Sequence, residues 1–149
     1  MGWVGSLRGS VVGFDTMPLI YYIEENPNYL KMVEPFFEAV ERGEFEVVTS
    51  IITLLEVLVH PIRDGNAGLA QRYRDLLLET EGLSTMEIDQ AIAEEAARLR
   101  ATFNIHTPDS IQLATAIFAG ASFFLTNDTR LPSLPNLKTL VLEDLKKES

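Results

Sequence analysis

Cysteine is absent from the 149 residues. That excludes disulfides, thiolate nucleophiles and cysteine-ligated zinc. Histidine is nearly absent too, with two copies, His60 and His106, too isolated to form a zinc site. Basic charge is scarce, 12 Lys and Arg against 22 Asp and Glu for a formal charge of −10, which argues against a broad surface for wrapping duplex DNA. A site that gathers divalent cations can still hold a phosphate backbone on so acidic a protein. No apolar run approaches the ~20 residues of a membrane span. The opening residues lack the basic-then-apolar order of a signal peptide, so the expected location is the cytoplasm, with no membrane partner. There is no Gly-x-x-x-x-Gly-Lys loop, no Gly-x-Gly-x-x-Gly fingerprint and no Gly-x-Ser-x-Gly elbow.

What remains is ordinary globular composition, 46% hydrophobic and 23% charged, in a length that suits one domain. Val11-Val12-Gly13-Phe14 reads as a short covered strand that stops on Asp15. Downstream, helical spacing alternates with short β-rich runs at 46–49, 83–88, 122–126 and 138–142. Among the helical segments, Ser50 is available to cap one from Ile51, Asp89 caps one reaching Phe103, and Thr107 is expected to cap another with Pro108 in its first turn. Pro61 is expected to end or kink the helix it follows. Alternation of this kind predicts a single-domain α/β/α sandwich around a parallel sheet, spanning residues 10–142. Residues 1–9 read as a loose tail and 143–149 as a charged tail.

Four acids stand out by position. Asp15 and Asp128 follow strands, Asp109 lies in the first turn of a helix, and Glu56 sits inside the apolar run Thr53-Leu54-Leu55-Glu56-Val57-Leu58. Each alone is weak, since about one position in seven is acidic in this chain and Asp is a common turn residue. Strand ends and helix starts converge on one edge of a parallel sheet, which is where ligands bind. Converging carboxylates either take up protons or are compensated by a cation. Oxygen ligands without His or Cys select a hard ion, Mg²⁺ or Mn²⁺. Such ions beside a phosphodiester activate water and stabilise the departing oxygen. Thr16, Thr126 and Asn127 adjoin the acids and are candidates to orient them. Tyr21, Tyr22, Phe36 and Phe37 are read as core, and Arg98 and Arg100 as solvent-facing.

Gly13-Phe14-Asp15-Thr16, Leu55-Glu56-Val57, Thr107-Pro108-Asp109-Ser110-Ile111-Gln112-Leu113-Ala114-Thr115-Ala116 and Phe124-Leu125-Thr126-Asn127-Asp128, in that order, resemble the PIN domain family. The likeness is to the VapC-like toxin ribonucleases of type II toxin–antitoxin systems. It implies an α/β/α fold and Mg²⁺- or Mn²⁺-dependent cleavage of RNA by Asp15, Glu56, Asp109 and Asp128. It also implies a homodimer and a cognate antitoxin protein. The rivals are a catalytically silent PIN module that binds RNA or protein, and another Mg²⁺-dependent phosphohydrolase. Phosphatases of that kind place a second Asp two positions after the first, where this chain has Met17.

Overall fold

A computed structural model describes residues 2–148. Its frame is a five-stranded sheet in the order β3-β2-β1-β4-β5, with every neighbouring pair parallel. The strands are β1 (Val11–Phe14), β2 (Glu46–Ser50), β3 (Leu83–Met86), β4 (Phe123–Thr126) and β5 (Lys138–Val141). The helices are α1 (Gly2–Gly5), α2 (Thr16–Ile23), α3 (Leu30–Glu41), α4 (Ile51–Arg63), α5 (Ala67–Glu79), α6 (Gln90–Phe103), α7 (Thr107–Phe118) and α8 (Leu142–Glu148). Both faces of the sheet are covered, which suits the β-branched and aromatic content of its strands. This is the α/β/α sandwich that the sequence predicts. No helix among the described residues is long and apolar enough to cross a membrane.

Side-chain alternation along the strands divides the core in two. Val12, Phe14, Val47 and Leu125 join Leu19, Phe36, Phe37 and Tyr73 on one face. Phe124 joins Ile92, Leu99, Leu113 and Ala116 of α6 and α7 on the other. Gly13 lies directly under α7, because a Cβ built there would stand 2.7 Å from the Ala116 Cβ and 3.0 Å from Phe124. The glycine is needed for space. It lets α7 sit down on the central strand.

The chain lays β2 and β3 on one side of β1, then crosses over to lay β4 and β5 on the other. Strand order therefore reverses between β1 and β4, and a crevice opens there at the carboxyl ends. The register pairs Phe14 with Leu125, so Asp15, just past β1, stands beside Thr126, the last residue of β4.

Several local expectations are corrected. Residues 2–7 are no loose tail: Leu7 has no exposed surface, and the Trp3 ring stacks on Phe36 at 5.8 Å. The segment from 143 is helical, with Leu142 fully buried, acids in the first turn and lysines in the last, as the helix dipole favours. Met1 and Ser149, the outer ends of those two segments, lie outside the described residues. The helix holding Pro61 continues to Arg63. The third strand ends at Met86. Thr107 is the first residue of α7 and does not cap it; His106 holds the cap position. The Thr107 hydroxyl accepts instead from Arg100 Nη1 at 3.0 Å. Asp89 does cap α6, accepting from Ile92 N at 2.8 Å.

Candidate active site

Four elements contribute acids to one cleft of about 580 Å³, lined by Asp15, Glu56, Asp109 and Asp128. Asp15 stands between β1 and α2, and its backbone N–H donates to Leu125 O at 3.2 Å, fixing it against β4. It occupies the cap position of α2, yet its carboxylate makes no capping bond and faces the cleft. Glu56 is in the second turn of α4, whose start is set by Ser50 Oγ accepting from Ile52 N at 3.1 Å. Asp109 is in the first turn of α7. Asp128 follows β4 in a turn where its Oδ1 accepts from Arg130 N at 2.9 Å.

Three of the acids have different partners. Thr126 Oγ1 donates to Asp15 Oδ2 at 2.5 Å and accepts from Asp128 N at 3.1 Å, so one hydroxyl ties two of the acids together. Thr16 donates to Glu56. Arg130 grips Asp128 with both arms of its guanidinium, Nε to Oδ1 at 3.0 Å and Nη2 to Oδ2 at 3.1 Å. Asn127 does not reach a carboxylate. Its Nδ2 donates to Tyr21 Oη at 3.0 Å, and its Oδ1 accepts from Glu143 N at 2.8 Å, which fastens the β4 loop to α2 and α8.

The electrostatics separate the acids. Burial pushes the Asp15 carboxyl up from its ordinary 3.8 to about 7, against the lowering effect of Thr126; Asp109, Asp128 and Glu56 push it further up. Burial, then Asp128, raises Asp109. Asp128 goes the other way, lowered chiefly by its hydrogen bond from Arg130.

Among the described residues, no three His, Asp or Glu side chains already stand as a closed metal cage. The donor set nonetheless fits a hard divalent ion. Asp15 Oδ1 is buried and has no hydrogen-bond partner, although buried polar atoms are almost always satisfied. A cation in the cleft would supply what that oxygen lacks, and it would offset the burial and the mutual repulsion that raise Asp15 and Asp109.

Beneath the cleft, a polar relay crosses the layers. Ser50 N donates to Gln112 Oε1 at 3.2 Å, which fixes the amide so that its Nε2 donates to Thr53 Oγ1 at 2.6 Å. Thr49 spends its proton on Phe14 O at 2.8 Å, so Thr53 is the donor in their 2.7 Å contact. Each buried member of this relay finds a partner, and α7 is tied to β2 and β1 one turn below Asp109. Sequence reasoning assigned Gln112 no role, and it passed over Arg130. The signal for Arg130 was its position two residues past an acid in a turn. Tyr21 is core, as expected, but its hydroxyl also lines the cleft.

The PIN domain family model matches residues 13–137. No curated protein matches the chain. Similar solved structures include a toxin–antitoxin complex from Klebsiella pneumoniae, 26% identical, covering 86% of this chain and 95% of that one with a TM-score of 0.64. VapBC2 from Rickettsia felis, bound to a DNA fragment from its promoter, is 18% identical and covers 88% and 98%, with a TM-score of 0.69. VapC20 of Mycobacterium tuberculosis, a sarcin–ricin loop cleaving toxin, is 14% identical and covers 80% and 91%, with a TM-score of 0.66. With the family matched over most of its length and the sheet order, cleft and acids described above, this chain belongs to the PIN domain family and has a VapC-like fold.

Proposed function

We propose that the chain is a divalent-metal-dependent endoribonuclease and the toxin of a toxin–antitoxin pair. The observation that carries this reading is the convergence of Asp15, Glu56, Asp109 and Asp128 from four elements on one cleft, with Asp15 Oδ1 buried and unpartnered. Asp15, Asp109 and Asp128 are the ligands, and Glu56 completes the set as a ligand or as the base for water. When bound, Mg²⁺ or Mn²⁺ supplies an activated water and charge stabilisation for the departing oxygen of a phosphodiester. The chain's own part is to hold the ligands: Thr126 orients Asp15, Thr16 orients Glu56, and the Gln112 relay keeps α7, and with it Asp109, at its distance from β1.

The partner is an antitoxin protein, and the working form is a homodimer in the cytoplasm. Antitoxin complexes among the similar structures support the first. So does α4, which leaves Leu55, Val59 and Ile62 exposed at helical spacing along the flank of the cleft, ready for an apolar segment to cover. An RNA substrate is supported by the sarcin–ricin loop cleaving relative.

The test is incubation of a mixed RNA pool with purified protein, free of antitoxin, in Mn²⁺, Mg²⁺ or chelator, beside Asp15→Asn. Cleavage that requires metal and disappears in the variant is expected. Silence of the wild type under all conditions would move the reading to a PIN module that binds without cutting. That rival draws support from the Asp128–Arg130 pair, which leaves Asp128 already occupied.

A further inference from the structure

Arg130 and His60 are the basic side chains that line a cleft holding four carboxylates. The Arg130 side chain is 78% exposed, and that of Asp128, its partner, is 21% exposed. The exposed guanidinium is open to solvent, which screens the pair and competes for it, so the fork is free to exchange. Asp128 does not depend on it for position. Arg130 N–H and the Thr126 hydroxyl, which accepts from Asp128 N, fix the carboxylate and its backbone independently. The fork can therefore leave without Asp128 losing its place. A guanidinium fork matches a phosphate as well as a carboxylate, through the same two parallel N–H bonds. An acidic cleft also needs a positive group wherever a nucleic-acid backbone enters it.

We infer that Arg130 has two positions, and this inference rests on the nuclease reading above. In the free protein it neutralises Asp128. When Asp128 turns to a divalent ion, Arg130 is released to hold a phosphate of the bound RNA strand. The residue thus guards a ligand position and then becomes a substrate contact, coupling occupation of the metal site to RNA binding.

The experiment compares wild type, Arg130→Gln and Arg130→Lys in two measurements: Mn²⁺ binding by calorimetry without RNA, and kcat/KM for a single-stranded RNA as a function of salt. Arg130→Gln should bind Mn²⁺ about fivefold more tightly, the upper range for removing an exposed competing ion pair. Its kcat/KM should fall about tenfold or more, and its salt slope should flatten by about 0.7, the loss of one phosphate contact on a single strand. Arg130→Lys should keep the slope while losing part of kcat/KM, because it keeps the charge but not the fork. An unchanged slope and kcat/KM in Arg130→Gln would overturn the phosphate contact and leave the nuclease reading standing. Unchanged or weaker Mn²⁺ binding in that variant would overturn the competition for Asp128. A wild type that neither cuts RNA nor binds Mn²⁺ would overturn the nuclease reading and the inference with it.

Discussion

Thr126 holds Asp15 from the neighbouring strand, its hydroxyl 2.5 Å from a carboxylate whose other oxygen has no partner at all. That bond opposes the upward push of burial on Asp15. Thr126→Val removes it at nearly constant volume and also strips the acceptor from Asp128 N. Asp15 should then hold its proton more tightly, so cleavage at neutral pH should fall at least tenfold and recover in part as pH rises. Thr126→Ser, which keeps the hydroxyl, should retain most activity. A pH–rate profile of the two variants checks this.

Asp15 titrates at about 7 in the folded protein against an ordinary 3.8, so the folded chain binds this proton more tightly than the unfolded one. Stability of the metal-free protein should fall as pH rises through that window and level off above it. Asp15→Asn has no such proton to lose. With chelator present it should be more stable than wild type at pH 8, by about 2–3 kcal/mol at 1.36 kcal/mol per pH unit with allowance for partial exposure, and similar to it near pH 4. Urea unfolding at the two pH values measures the difference. Mn²⁺ binds the ionised form, so its affinity for wild type should rise up to about tenfold per pH unit and level off above 7.

Gly13→Ala drives a methyl into Ala116 and Phe124. A loss of about 1–3 kcal/mol is expected for such overpacking. Since α7 also carries Asp109, the variant should bind Mn²⁺ more weakly. Ala116→Gly in the same chain should recover both stability and affinity, which a urea titration and calorimetry would show.

Gln112→Leu fills the same space but takes the acceptor from Ser50 N and one of two partners from Thr53 Oγ1, which keeps its bond to Thr49. The expected cost is about 1–3 kcal/mol, chiefly from Ser50 N. Thermal unfolding should reveal it, together with reduced cleavage from an α7 no longer tied below Asp109.

Much of this was readable in the chain. The run to Asp15, the Asp89 cap and the strand–helix alternation carry their own local physics, and they map onto β1, α6 and a parallel sheet. The four acids were visible as residues at strand ends and helix starts, and the fold gathers them in one cleft. Their differences were not visible. Asp15 is raised because burial outweighs the lowering bond from Thr126, and Asp128 is lowered because it meets Arg130, and both facts depend on tertiary placement. Thr107 misled because its hydroxyl, suited to a cap, is claimed by Arg100 from the preceding helix. Leu7 had no periodic neighbours to mark it as core.

Leu7→Ala should destabilise the protein by about 2–5 kcal/mol, as for any large-to-small change at a fully buried site. A chemical denaturation midpoint unchanged by the substitution would refute the anchoring of the first helix through Leu7.

The central position of β1 also sets an order of events during synthesis. Asp15 is synthesised before its partner, and Thr126, which orients it, lies 111 positions later. At about 5–20 residues per second, roughly 5–20 s pass before β4 can pair with β1. Until then the nascent chain holds three of its acids with no hydroxyl to align the first and no fourth to close the set. The complete constellation therefore forms only once translation has passed Asp128, whatever the rest of the fold has already done.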